Sequence, residues 1–218
     1  MPKLNAATQA ARRAHILDAA EVCFARTGFH RTSMQDICKE AGVSAGALYV
    51  YFAAKEELIA GIAERDRNKL ATEFAALAGM PDLAAALTQL GEHYTVEEPQ
   101  HKRLMCVEIG LESTRNKAVG EIYRSVDTFV HDSFVQLFTR AEAEGRIRPD
   151  LDPEGLARII MVIGDGMFWR RAVDPKFDPK SVIPAIAAIV AGLLNAPEHV
   201  EPRKRNTVAA PRRRGIHP

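Results

Sequence analysis

Apolar residues recur along this chain at helical spacing, and nowhere do they alternate for long enough to predict a strand. Ile16, Ala20, Cys23 and Phe24 share one face of a first helix over 12–27, which Gly28 ends. Met34, Ile37, Cys38 and Ala41 fall at i, i+3, i+4 and i+7 in a short second helix. Leu48 and Phe52, four apart, hold a third short helix over 45–51 against its neighbour. Leu58, Ile62, Leu70, Phe74 and Leu77 mark a long fourth helix over 54–78, broken by Gly79 and Pro81. Two more helices are expected over 82–94 and 100–114, with Pro99 between them. Ile122, Val126, Phe129, Val130, Phe134, Leu137, Phe138 and Ala141 then stripe another, which runs to Gly145. Asp152-Pro153-Glu154 supplies a cap, a first-turn proline and a dipole-complementing acid for a helix to 171. Ser181 is read as the cap of a last helix ending at 195, with Pro184 harmless in its first turn. The pattern predicts an all-α fold.

The start and stop signals are densest between Thr32 and Leu58. Thr32 and Gln35 have capping-box spacing, in which the hydroxyl accepts the N3 amide and the amide side chain reaches back. Gly42 follows the last periodic residue, where the backbone needs a positive φ that glycine adopts cheaply. Val43 plugs the turn and Ser44 caps the third helix. Two short helices around a tight turn, then an aromatic cluster, are the layout of a helix-turn-helix DNA reader. The outward side of the third helix carries Ala45, Gly46, Ala47, Tyr49 and Val50, small enough at its start for the backbone to approach a groove. Tyr49 and Tyr51 offer hydroxyls to phosphate oxygens, and Lys55 adds charge at the positive end of the next helix. Two amphipathic helices around a glycine also occur in ordinary bundles. Leu-Tyr-x-Tyr-Phe followed by Lys-Glu-Glu-Leu (48–58) would be an odd coincidence there.

These residues resemble the N-terminal motif of the TetR/AcrR family of transcriptional regulators. The match comprises Thr32, the Ala41–Ser44 turn, Gly46, Leu48-Tyr49, Tyr51-Phe52 and Lys55-Glu56-Glu57-Leu58. It is specific over 12–60, since the C-terminal half of the family diverges freely. The resemblance implies an all-α homodimer whose third helix enters the major groove of double-stranded DNA. It also implies that Thr32, Ser44, Gly46, Tyr49, Tyr51 and Lys55 contact phosphates or position that helix. With Ser33 and Gln35 at the start of the supporting helix and Ala45, Ala47 and Val50 facing the groove, these make up the candidate DNA site. Base readout by such apolar side chains would rely on thymine methyls and DNA shape. Two departures stand out. Ala45 occupies a position where many relatives carry lysine or arginine, and Ala53-Ala54 leaves the fourth helix weakly capped.

Charge changes the picture through its distribution. The net charge is only +1, yet 1–55 holds seven Lys/Arg against four Asp/Glu, and 196–218 holds six against two. The stretch between them is acidic, which suits a protein that meets DNA with one part and repels it with the rest. The expected organisation is an N-terminal arm (1–11), a helix-turn-helix domain (12–53), a helical ligand-binding and dimerisation domain (54–195) and a disordered basic tail (196–218). Cys23, Cys38 and Cys106 are too few and too far apart for a disulfide framework or a thiolate metal site, so reduced thiols are expected. No signal peptide is recognisable, and the longest apolar stretch, Val182–Leu194, falls short of the ~20 residues of a membrane span. A soluble cytoplasmic protein without membrane contact is expected.

Two body helices bear on assembly. Ile159, Ile160, Met161, Val162 and Ile163 make one apolar nearly all round, as do Ile186, Ile189, Val190, Leu193 and Leu194 for the last. Such helices need partners on every side. Burial in the core would provide them, and the family resemblance favours a homodimer interface. One short recognition helix binds weakly, whereas two held ~34 Å apart read an inverted repeat.

Enzyme chemistry finds no constellation. There is no phosphate-binding glycine loop, no H-E-x-x-H and no G-x-S-x-G, and the single Glu98-to-His101 spacing is interrupted by Pro99. No catalytic residue, metal site or cofactor is assigned. The resemblance implies an inducer cavity between the body helices. His93, Met105, Cys106, Ile109, Phe129, Ser133, Met161, Asp165 and Trp169 are the candidates to line it, with ordinary core packing the competing role for each. Asp165 is the most suggestive, because a carboxylate in an apolar run wants a partner. The run Asp-Gly-x-x-Trp-Arg-Arg (165–171) resembles the choline/betaine repressor branch, which suggests a cation held beside Phe168 and Trp169. The resulting reading is a ligand-responsive transcriptional regulator, a repressor released from a palindromic operator by a small-molecule inducer. The competing readings are an activator of the same fold, a helical small-molecule-binding protein without operator binding, and an enzyme whose site no motif reveals.

Overall fold

The computed structural model describes residues 5–194. The tail expected over 196–218 and the first part of the arm lie outside them. Nine α-helices make up the described residues, which contain no strand. In chain order they are α1 (Ala6–Thr27), α2 (Met34–Ala41), α3 (Ala45–Tyr49), α4 (Lys55–Ala78), α5 (Leu83–Glu92), α6 (Gln100–Glu112), α7 (Lys117–Ala143), α8 (Pro153–Val173) and α9 (Ile183–Leu194). The all-α reading holds.

Three boundaries depart from the sequence reading for local reasons. Asn5 accepts the Thr8 amide at 2.8 Å, so α1 starts at Ala6 and residues assigned to an arm are helical. After α5 the chain continues through a five-residue π-helical turn, His93–Glu97. Before α9, Ser181 does not cap the helix; it belongs to a short 3₁₀ turn, and its hydroxyl donates to the Asp178 carbonyl at 2.6 Å. Asp152 caps α8 as expected, accepting the Gly155 amide at 2.7 Å.

Two apolar clusters organise the molecule. The first joins Ile16, Leu17, Ala20, Phe24, Ile37, Leu48 and Phe52 of the N-terminal helices. It does not close on itself as a three-helix head would. Leu58, Ile59 and Ile62 of α4, Met105 and Ile109 of α6, and Val119 of α7 belong to the same cluster. One long and two short helices bury too little surface to stand alone, and side chains of α4, α6 and α7 complete their core. At Gly61 α4 packs tightly on the N-terminal helices: a Cβ there would sit 3.0 Å from Leu17 and 3.1 Å from Phe52. The second cluster fills the body with Phe74, Leu87, Phe134, Leu137, Phe138, Leu156, Val190 and Leu194. Phe134 meets Phe74 edge-on at 4.8 Å and stacks on Phe138 at 5.7 Å.

Candidate functional site

The helix-turn-helix forms as its residues require. Gly42 ends α2 at φ +61°, a left-handed position that costs an L-residue about 1 kcal/mol. Ser44 caps α3 by accepting the Ala47 amide at 3.2 Å. Leu48 and Phe52 point into the core, which turns Ser44, Ala45, Gly46, Tyr49 and Val50 outward. Val50 is 79% exposed and Tyr49 53%, so two neighbouring large side chains stand in solvent on this face. Ala47 is half-buried behind them. Tyr51 packs its ring against the first cluster. Among the described residues neither tyrosine hydroxyl has a partner within the chain, and Gln35 is likewise exposed and uncommitted.

Three residues assigned to DNA contact do other work. Thr32 is 1% exposed, and its hydroxyl bonds the Gly28 carbonyl at 2.7 Å, Thr27 Oγ1 at 2.8 Å and the Cys23 carbonyl at 3.2 Å. It ties α2 to the end of α1 and cannot reach a phosphate. The capping box lies one residue further on: Ser33 accepts the Asp36 amide at 3.1 Å, and Asp36 accepts the Ser33 amide at 2.9 Å. The Ser33 hydroxyl also donates to Asp36 at 2.6 Å, and these bonds hold the Asp36 carboxyl below its usual range. Ser33 is therefore spent on the helix end. Lys55 turns inward, donating to the Phe29 carbonyl and lying 4.3 Å above the Phe29 ring. Burial pushes its ammonium below the ordinary lysine value, against the pull of Glu56 and Glu112. It is a strut between α4 and the α1–α2 corner. The weak cap expected at Ala53-Ala54 is real, since Ala54 makes no side-chain cap bond, but Glu57 compensates by accepting the Ala53 amide at 2.7 Å.

All six helices from α4 to α9 contribute to the wall of a cavity of about 430 Å³. Of the candidates, Met105, Cys106, Ile109, Met161 and Asp165 line it. The other four do not. His93 sits on the π-helical turn, 2.9 Å from Glu97. Phe129 is absent from the wall, and the Ser133 hydroxyl donates back to the Phe129 carbonyl at 2.7 Å. Trp169 is 54% exposed and faces away, so the Phe168–Trp169 cation cage does not form; Phe168 alone lines the cavity. Cys106 is exposed onto the cavity, and the protein mass behind it pushes its thiol up to about 12. The sequence reading missed Asp66, Tyr123 and Asp127 in the wall. A signal existed: Asp66 falls midway between Ile62 and Leu70 on the apolar stripe of α4, and Asp127 interrupts the stripe of α7.

The cavity and the DNA-reading end share structure. Ile59, Ile62, Met105 and Ile109 belong both to the cavity wall and to the first core cluster. On the same α6, Glu108 accepts the Phe29 amide at 2.9 Å, and buried Glu112 meets His30 Nε2 at 2.8 Å.

A helix-turn-helix joined to a hollow helical body defines a one-component regulator, and comparison with known proteins gives the same class. The family model for bacterial regulatory proteins of the tetR family matches 16–62, and that for the C-terminal part of BetI-type transcriptional repressors matches 83–195. The chain belongs to the TetR family of transcriptional regulators. It is 26% identical over 188 residues to the HTH-type transcriptional regulator UidR of Escherichia coli K12, covering 84% of this chain and 93% of that one. Among solved structures, GusR of Salmonella enterica superposes with a TM-score of 0.71 at 33% identity, covering 84% of this chain and 95% of its own. A complex of SmeT with triclosan aligns with a TM-score of 0.70 at 26% identity, covering 84% and 90%. No described helix is long and apolar enough to cross a membrane, and no described group of His, Cys, Asp and Glu residues is arranged to hold a metal ion.

Proposed function

We propose that the chain acts as a homodimeric repressor that grips an inverted-repeat operator and lets go when a small molecule fills the cavity. The observation that carries this reading is the outer face of α3, where Tyr49 and Val50 stand in solvent with an unpartnered phenol beside them. Among the described residues nothing packs on that face, and a major groove would. Contacts from Gln35, Ser44, Ala45, Gly46, Ala47, Tyr49, Val50 and Tyr51 fit it; Thr32, Ser33 and Lys55 act by shaping the reader instead.

Exposed apolar side chains on α8 and α9 support dimerisation. Val162, Trp169 and Val173 on α8 and Ile189 on α9 are large apolar side chains left in solvent by a single chain. A second copy would cover them, and pairing would fix the separation of two α3 helices. SmeT, whose complex with triclosan has been solved, supports a small molecule as the signal. Ligand in the cavity would press on Ile59, Ile62, Met105 and Ile109 and so on the core beneath α3. Release requires unequal affinity for the two arrangements.

Sedimentation and fluorescence anisotropy test this together. The full chain should sediment as a dimer and bind duplex DNA from its own upstream region in a salt-dependent manner. Val50→Asp should abolish binding without lowering Tm, because Val50 is buried against nothing. A monomer that ignores every duplex at low salt would refute the proposal.

A further inference from the structure

The DNA reader has shape without charge. No Lys or Arg occurs between Lys39 and Lys55, so the outward side of α3 is neutral. Lys55 itself is spent on the carbonyls of Phe29 and His30. A duplex is held largely through its phosphates, and neutralising them takes cations. Of the other cations in 5–55, Arg13 pairs with Glu64 and Arg26 with Glu40, each at 2.9 Å. Arg12, Arg31 and Lys39 have no carboxylate partner among the described residues.

Arg31 differs from the other two in how it is held. It closes the corner between α1 and α2, and that corner is fastened from several sides. Thr32 Oγ1 donates to the Gly28 carbonyl at 2.7 Å, and Glu108 of α6 accepts the Phe29 amide at 2.9 Å. Lys55 of α4 donates to the Phe29 carbonyl and, at 3.5 Å, to that of His30. Glu112 of α6, only 3% exposed, lies 2.8 Å from His30 Nε2. Arg31 Nε then donates to the Thr27 carbonyl at 3.1 Å, while the side chain stands in solvent. With Nε tied, the guanidinium plane is oriented and its two amino groups are left free. Two N–H donors on a fixed plane match two oxygens of a phosphate. The cap residue Ser33 follows two positions on, and Gln35 stands exposed in the first turn of α2. Arg31 therefore leaves the chain at the end of α2 that carries a candidate DNA contact. Lys39 sits in the last turn of α2 beside Glu40, and Arg12 on α1; no side-chain bond among the described residues fixes either.

We infer that Arg31 grips a backbone phosphate of the operator beside the first turn of α2, and that α6, through Glu108 and Glu112, sets where it does so. This rests on the reading of the chain as an operator-binding repressor. It gives the body a lever on affinity: movement of α6 carries Phe29 and His30 with it, and Arg31 is the next residue.

Fluorescence anisotropy of the full chain on duplex from its upstream region, repeated over a series of salt concentrations, tests both halves. Arg31→Gln should weaken binding about tenfold. It should also lower the slope of log affinity against log salt by about two for a dimer, one phosphate per protomer. Tm should change little, since the guanidinium has one bond, to a carbonyl at the surface. Arg31→Lys should recover the slope but only part of the affinity, because an ammonium lacks the fork. Lys39→Gln removes the same charge and should leave both close to the parent values. A parental slope in Arg31→Gln, or an equal loss in Lys39→Gln, would overturn the inference while operator binding stands. A parent chain that binds no duplex would remove both. Glu108→Ala loosens the corner, so Arg31→Gln should cost less in that background than in the parent. Additive losses would separate Arg31 from α6 and overturn the second half.

Discussion

Thr32 shows how one hydroxyl can decide whether a reader has a fixed shape. Its contacts to Thr27, Cys23 and Gly28 gather the end of α1 and the start of α2 at one buried atom. Thr32→Val keeps the volume and removes that atom, leaving its partners short of a bond in the interior. The cost should be about 1–3 kcal/mol, read as a fall in Tm. The salt dependence of DNA binding should stay the same, and a reduced slope would return Thr32 to the phosphate-contacting set. The sequence could not separate Thr32 from Ser33 here. Both are hydroxyl residues ahead of an apolar face, and a one-residue shift in the cap moves one indoors and the other out. Lys55 was misread for a related reason: a lysine at a helix start has charge in the right place, but its direction depends on the Phe29 and His30 carbonyls, which tertiary packing brings within reach. The outward residues of α3 were legible because Leu48 and Phe52 alone fix the helix's rotation.

At the scale of elements, α1 and α4 are locked by more than apolar contact. Arg65 on α4 bonds Asp18 at 2.7 Å and also bonds Glu21, which is 1% exposed. Burial pushes the Glu21 carboxyl up, and Arg65 is the nearest force keeping it charged. Arg65→Met would leave that carboxylate buried and uncompensated, at a cost of about 3 kcal/mol, measurable by urea unfolding. A variant as stable as the parent would show that Glu21 finds water or takes up a proton without penalty. Helix existence was readable throughout from periodicity, glycines and prolines. The ends were not: Asn5 extends α1 by six residues although the preceding stretch has no apolar period, and the π-helical turn after α5 leaves no trace in the pattern. Of the nine residues expected to line an inducer cavity, Met105, Cys106, Ile109, Met161 and Asp165 fall on the cavity wall. Those on α6 and α8 followed from their apolar faces; Phe129, Ser133 and Trp169 lie off the wall because only packing sets rotation about a long helix, and His93 because it falls on the π-helical turn.

For the whole molecule the question is how a cavity in the body speaks to α3. α6 carries the cavity residues Met105 and Ile109 on one side and Glu108 and Glu112 towards the α1–α2 corner on another. Asn116 adds a bond to Glu56 at 3.2 Å. Displacement of α6 would therefore pull directly on Phe29 and His30, ahead of any change in α4. Glu108→Ala should free the Phe29 amide. Hydrogen bonds to charged groups contribute about 1.5–3 kcal/mol, so exchange of that amide should speed up by about tenfold or more while body amides keep their protection. Unchanged exchange at Phe29 would mean that α6 is not the coupling element.

Met105 and Ile109 also bear on how such regulators are rebuilt. Recombining one reader with another sensor assumes a seam somewhere near Ala54, yet the hydrophobic interior beneath the recognition segment is finished by side chains fifty residues downstream. A graft that stops at the seam would carry away an unfinished interior and gain a stranger's helix to fill it. Transplants of this reader should keep their shape only if the sixth helix travels with it, or if its replacement offers a thioether and a branched aliphatic at the same two places.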